Sequence, residues 1–366
     1  MRLARRHKQK PSLILFTTCI GLAKIQCASS FLATSSHCVA KSSLSPPPNA
    51  LHASPPSSSS AQQQLRIPPG ALGPPEPLKS LQVGQSANAF RSLQNTAESA
   101  DQGTHTQNPS SSQTHQFTIQ RVSHSPEIFH LHNFLTPQEC IQIMSMAKQS
   151  GMEQAQTVTE HDSTSRKNCR VAWLPSSNSS PYELVGNLVS GTIHGFLSAP
   201  VHAHSSSAVE DLQVLCYGAG GEFVPHHDGE ARILTVIYYL NGVGGTWFPL
   251  ARGKEERHPE EDTNGWDHRM PVNKGQALEM IRDLVPGKDG LLVRGMDDTS
   301  SKEEPKDRIV SITQGDAIAF YNYLDDGSAR FDWTAIHCGL PTTEEEGGGE
   351  KWIANHWYRL NVLEET

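Results

Sequence analysis

From Leu212 onward the chain is built of short apolar runs separated by turn residues, and this series limits the fold more than any other feature of the sequence. Leu212-Gln213-Val214-Leu215-Cys216-Tyr217 and Ile233-Leu234-Thr235-Val236-Ile237-Tyr238-Tyr239-Leu240 are rich in β-branched and aromatic residues, the composition of strands. Gly244-Gly245-Thr246-Trp247-Phe248-Pro249 is a turn opening a short strand, and Ala317 to Tyr321 follows the turn Gly315-Asp316. Trp352 to Leu360 closes the series. Helical signals come earlier. Ile128 to Leu135 reads as a strand, and Thr136-Pro137-Gln138-Glu139 then combines an N-cap, a proline at the first helical position and a capping box. Ile141, Met144 and Ala147 are expected on one face of that helix, with Gly151 ending it. A second helix is expected from Ser180-Pro181-Tyr182-Glu183, with Leu184, Leu188 and Phe196 along one stripe. Helices followed by many short strands predict an α+β, mainly β architecture: a double-sheet jelly roll buttressed by N-terminal helices.

The charge distribution divides the chain of 366 residues. The first acidic residue is Glu76, whereas eight Lys and Arg precede it, leaving 38 acidic against 22 basic residues in the remainder. So acidic a body has no general affinity for phosphate backbones, which argues against a nucleic-acid partner. A basic start, Met1 to Lys10, precedes an apolar run from Leu13 to Ala23 that is short for a membrane span. Residues 1–28 are therefore expected to be a signal peptide or an uncleaved signal anchor, with no stable span beyond it. Residues 29–115, rich in Ser, Pro and Ala, are expected to be disordered, because such a composition buries too little apolar surface to offset chain entropy. This arrangement fits a stalk in the secretory pathway (endoplasmic reticulum or Golgi) and a two-part plastid-targeting sequence alike. Order is expected from about Phe117, in a domain covering 116–366. Within it, 251–313 is charged and lacks strand periodicity, so it reads as a surface insertion or a lid, of which insertion is favoured. Of seven cysteines, Cys140, Cys169, Cys216 and Cys338 fall in the folded part, and no C-x-x-C occurs. One or two disulfides fit only an oxidising compartment.

The chemistry centres on Val224-Pro225-His226-His227-Asp228. Residues two apart on a strand share a face, so His226 and Asp228 present an imidazole and a carboxylate together. A third ligand completes a two-histidine, one-carboxylate set that suits iron(II) and leaves positions for a bidentate oxo-acid and dioxygen. His337, in Ala335-Ile336-His337-Cys338-Gly339, supplies it from a later strand. Taken singly, each histidine reads equally well as a surface or core residue. Lys351, fourteen residues past His337, is placed to hold the far carboxylate of a dicarboxylate cosubstrate; alone, it reads as an exposed lysine.

The ordered set of Tyr217, Gly220-Gly221-Glu222-Phe223, Pro225-His226-His227-Asp228, Gly244 to Pro249, Gly315-Asp316-Ala317, His337-Cys338-Gly339-Leu340-Pro341 and Lys351-Trp352 with Trp357 and Arg359 resembles the catalytic domain of prolyl 4-hydroxylase alpha subunits. Asn133-Phe134-Leu135-Thr136 and Arg170-Val171-Ala172-Trp173-Leu174 are similar to that family's front half, so the resemblance spans about residues 125 to 362. It implies a double-stranded β-helix of the cupin-like kind, an Fe(II)- and 2-oxoglutarate-dependent dioxygenase with iron on His226, Asp228 and His337, and 2-oxoglutarate on Lys351. It implies cosubstrate contacts from Tyr217 and, competing with plain sheet packing, from Thr246 and Trp357. Arg170 is implied as a substrate contact, with a structural salt bridge as the competing reading. Ascorbate use and hydroxylation of peptidyl proline to 4-hydroxyproline, with succinate and CO2 released, follow from the resemblance alone. Three departures loosen the substrate assignment: a three-residue link from Asp228 to Arg232, the long 251–313 segment, and an extended loop from Thr342 to Glu350. The same chemistry on a lysyl side chain or a small molecule, and a catalytically silent barrel-fold binding module, are the alternatives.

Overall fold

A computed structural model describes residues 72–93, 114–155, 166–196, 209–229, 231–252, 270–295, 308–342 and 349–359. The chain divides into two units, Met1–Gln62 and Gln63–Thr366, and every described residue belongs to the second. The expected targeting segment therefore lies outside the described residues. Among the described residues no helix is long and apolar enough to cross a membrane.

The unit opens with a short helix α1 (Glu76–Lys79), strands β1 (Ser86–Ser92), β2 (Thr114–His124) and β3 (Glu127–His132), and helix α2 (Pro137–Ser150). Then come β4 (Glu153–Gln154), β5 (Arg166–Leu174), α3 (Glu183–Phe196), β6 (Leu212–His226), β7 (Arg232–Tyr239) and β8 (Gly245–Phe248). It ends with α4 (Lys274–Met280), β9 (Leu291–Gly295), β10 (Ile309–Ile312), β11 (Ala317–Tyr321), β12 (His337–Leu340) and β13 (Lys351–Arg359). The strands form one mixed, strongly curled sheet in the order β1-β2-β3-β11-β7-β13-β6-β12-β8-β9-β10, with β5 also pairing β6; all pairs are antiparallel except β9 with β10. This is the jelly roll expected.

The continuous apolar runs are explained by burial on both faces. Val214 and Cys216, Leu234, Val236 and Tyr238, and Ala354 and Tyr358 join α2 and α3 in an outer core. Leu215 and Tyr217, Ile237 and Tyr239, Ile318 and Phe320, and Ile353 fill the inside of the curl. Period-2 alternation thus assigns each residue to the helix-backed face or to the interior. The interior face carries the site.

Three expectations need correcting. Residues 72–93, placed in the disordered 29–115 stretch, carry structure: β1 pairs with β2 from Ser86↔Gln120 to Ser92↔Thr114, and Leu72 and Leu78 join the core. The physical reason is Arg91, whose buried guanidinium donates to Phe134 O at 2.7 Å and to both carboxylate oxygens of Glu139. The 251–313 segment is no mere insertion either, because β9 pairs with β8 and buries Leu291, Leu292 and Val293. Helix α2 has the expected capping box, but its buried face is Cys140, Ile143 and Ala147, leaving Ile141 50% exposed. Cys140, Cys169, Cys216 and Cys338, for which no pairing was expected, are buried and free.

Candidate active site

The interior face of β6 is interrupted by Gly218-Ala219-Gly220-Gly221, which bulges against β5. Cys169 pairs with Tyr217 and Arg166 with Phe223, so three steps on β5 match six on β6. A side chain at Gly221 would collide with the carbonyl O of Asn168 at 2.8 Å, so glycine is required there, whereas one at Gly218 would only displace the Asn168 side chain. The bulge brings Tyr217 and the end of β6 to the same region of the interior.

There His226 pairs across the sheet with His337 of β12, and their ring centroids lie 4.3 Å apart. Asp228 follows β6 directly, 3.7 Å from His226 Nε2 and 3.9 Å from His337 Nε2. One ligand atom from each of the three lies within 4.8 Å of the others. Each imidazole donates Nδ1–H to a carbonyl two residues back, Val224 O and Ala335 O, both at 3.0 Å. That bond fixes the tautomer and leaves each Nε2 lone pair facing Asp228. Burial first, then the nearby His337, push His226 well below its ordinary pKa, so it is neutral at pH 7. Burial works against ionisation of Asp228, but His337, His226 and the Thr235 hydroxyl outweigh it and hold the carboxyl well below its usual range. The donor set is thus two Nε2 lone pairs and one carboxylate, which fits a divalent iron.

Two residues that the sequence reading passed over support Asp228. Thr235 Oγ1 donates to Asp228 Oδ2 at 2.6 Å, and buried Asn322 donates to Thr235 Oγ1 at 2.9 Å. Neither carries a sequence signal beyond lying in or beside a strand. His227 faces the other way, packing on Phe331 and Trp333, which line a cleft of about 590 Å³.

Lys351 is 1% exposed and sits opposite Tyr217, its Nζ 5.5 Å from the tyrosine ring. The ammonium donates to Gly245 O and lies 3.7 Å from where a Cβ of Gly339, two residues after His337, would stand. Gly244, at φ +80°, leaves room for the lysine stem, since a Cβ there would fall 2.5 Å from Lys351 Cδ. Thr246 is buried at the same end and accepts the Tyr239 hydroxyl at 2.9 Å. Trp357 lies six residues along β13, under the Arg232 guanidinium at 3.9 Å and beside Trp173. It is thus apart from Lys351. Arg170 does not join the site: it contacts Cys216 Sγ on the helix-backed face of the sheet and pairs with Glu350 at 2.7 Å. The salt bridge of the competing reading is present. Arg166 enters instead, its guanidinium 4.1 Å from the Phe223 centroid. Phe223 in turn stacks 3.7 Å from His226. The strand bulge, with Asn168 at φ 44°, turns Arg166 inward, and no residue pattern announces it.

A second group, His130, His132 and Asp316, also gathers two imidazoles and a carboxylate. Its carboxylate already accepts from Asn133 N at 2.7 Å, Thr313 N at 2.9 Å and Thr313 Oγ1 at 3.3 Å. It is a clasp joining β3 to the turn before β11.

Residues 212–359 match the family model of the 2OG-Fe(II) oxygenase superfamily. Prolyl 4-hydroxylase 5 of Arabidopsis thaliana is 29% identical over 259 residues, covering 66% of this chain and 72% of that protein. Prolyl 4-hydroxylase 2 of the same plant is 27% identical over 259 residues, covering 67% and 71%. Transmembrane prolyl 4-hydroxylase of Mus musculus is 28% identical over 179 residues, covering 42% and 30%.

Proposed function

We propose that the chain, a 2-oxoglutarate-dependent dioxygenase, hydroxylates proline within a polypeptide, with iron(II) on His226, Asp228 and His337. The observation that carries the metal assignment is the convergence of the three ligand atoms within 4.8 Å, with both Nε2 lone pairs left available. Iron(II), with 2-oxoglutarate and dioxygen, supplies the oxidant for C–H hydroxylation, and succinate and CO2 are the co-products. The residues of the chain do the rest. Asp228 offers Oδ1 while Thr235 holds Oδ2, so the carboxylate is oriented before any metal arrives. Lys351 gives a buried ammonium for the far carboxylate of 2-oxoglutarate, beside Tyr217 and the Tyr239–Thr246 pair. Leu215, Ile237, Ile353 and Phe320 make the surrounding wall apolar and exclude water. Proline as the target rests on the prolyl 4-hydroxylase relatives.

Metal analysis of the purified chain tests the ligand set. About one equivalent of iron(II) should bind to the wild type, and His226→Ala, Asp228→Ala and His337→Ala should each lose it. Stoichiometric iron in any one variant would remove that residue from the set.

A further inference from the structure

On the strands that carry the site or flank it, three other cations are neutralised in pairs. Lys167 pairs with Glu222, Arg170 with Glu350 at 2.7 Å, and Arg232 with Glu210 at 2.6 Å. Arg166 differs from these neighbours: among the described residues it has no carboxylate partner, and its Nε is buried without a hydrogen bond. Taking the Nε–H out of water unpaired is costly, so a ligand group is expected to meet the guanidinium. The Phe223 face holds the guanidinium by a cation–π contact at 4.1 Å, and Phe223 rests on His226 at 3.7 Å. A fixed planar cation thus stands one aromatic ring away from a proposed metal ligand.

Charge balance indicates what it meets. Under the proposed function, a divalent iron with Asp228 carries one net positive charge, and Lys351 adds another. The two carboxylates of 2-oxoglutarate cancel both. Among the described residues Arg166 remains in surplus, which leaves its anion to be supplied by the substrate. We propose that Arg166 recognises a carboxylate side chain of the polypeptide, selecting prolines with an Asp or Glu close by in sequence. The arginine fork matches a carboxylate with two parallel hydrogen bonds. Two stacked-ring steps separate the guanidinium from His226. An extended chain covers such a span in about two residues, so the acid is expected within about two positions of the target. The inference rests on the hydroxylase reading and deepens it.

End-capped peptides with one proline test it, with Asp, Ala or Lys scanned across the flanking positions. Fluorescence anisotropy reads binding to the full chain, and succinate release reads turnover. At the best position the Asp peptide should bind wild type at least about tenfold tighter than the Lys peptide. Arg166→Lys should keep a weaker preference of the same sign, and Arg166→Glu should reverse it in favour of Lys. Equal binding of the three peptides by wild type would overturn the proposal. So would an unchanged preference in Arg166→Glu, or a loss of 2-oxoglutarate affinity in Arg166→Ala with the peptide preference intact. Charge-selective binding without hydroxylation of any peptide would support the Arg166 role and contradict the hydroxylase reading, so the two fail separately.

Discussion

Lys351 shows how much a single residue depends on its neighbours. A lysine that is 1% exposed is rare, and here the surrounding glycines make the room while Gly245 O accepts from the ammonium. A charge-assisted hydrogen bond to a carboxylate in such a place contributes about 1.5–3 kcal/mol. Lys351→Ala should therefore raise the KM for 2-oxoglutarate roughly tenfold or more. Iron content should stay near that of wild type, because the three ligand side chains are oriented by other groups, Val224 O, Ala335 O and Thr235. Steady-state kinetics at saturating peptide reads the first, and metal analysis the second. An unchanged KM would remove Lys351 from the cosubstrate site. The triad and this lysine were legible in the sequence because their order along the chain is distinctive. Arg166 and Thr235 were not, since a strand bulge and a hydroxyl within an apolar run leave no periodic trace.

The same distinction between local and distant causes holds for whole elements. Helix α2 could be read because its capping box, Thr136 with Glu139, is made by residues three apart. Strand β1 could not, since Ser86–Ser92 lies in a tract of small polar residues and is ordered by pairing with β2 and by Arg91 reaching Glu139, 48 residues away. Strand β9 was hidden likewise, its Leu291-Leu292-Val293 run lying inside a charged segment. Arg91 and Glu139 side chains are 3% and 12% exposed, and burial opposes the ionised Glu139 that Arg91 sustains. Removing one member of a buried pair costs about 3–5 kcal/mol, because it leaves the other charge uncompensated. Arg91→Ala should thus lower Tm by about 10 °C, as read by thermal unfolding. An unchanged Tm would mean that β1 is not part of the cooperative fold.

At the scale of the molecule, buried histidines set its response to acid. His356 is fully buried, hydrogen-bonded to Ser176 Oγ at 2.7 Å, and burial pushes its pKa down to about 3. The folded state therefore keeps it neutral while the unfolded chain protonates it below about pH 6.5. Stability is full above that pH and declines as pH falls towards 3, by up to about 1.4 kcal/mol per pH unit for this one group. Glu139 and Asp316, whose carboxyls are held below their usual range, act in the same direction at lower pH. Urea unfolding between pH 6.5 and 4.5 should show this decline, and His356→Gln should flatten it by about one proton's slope; equal slopes would contradict it. The central claim, however, concerns chemistry, and one coupled assay reaches it. Full-length protein would be given iron(II), 2-oxoglutarate, dioxygen and a panel of proline-containing peptides. Succinate would be quantified, and the peptides sequenced by tandem mass spectrometry. The account predicts succinate formation with one oxygen atom gained on a proline, and neither product with Asp228→Ala. Oxygen placed on another residue type, or succinate release that survives Asp228→Ala, would contradict it.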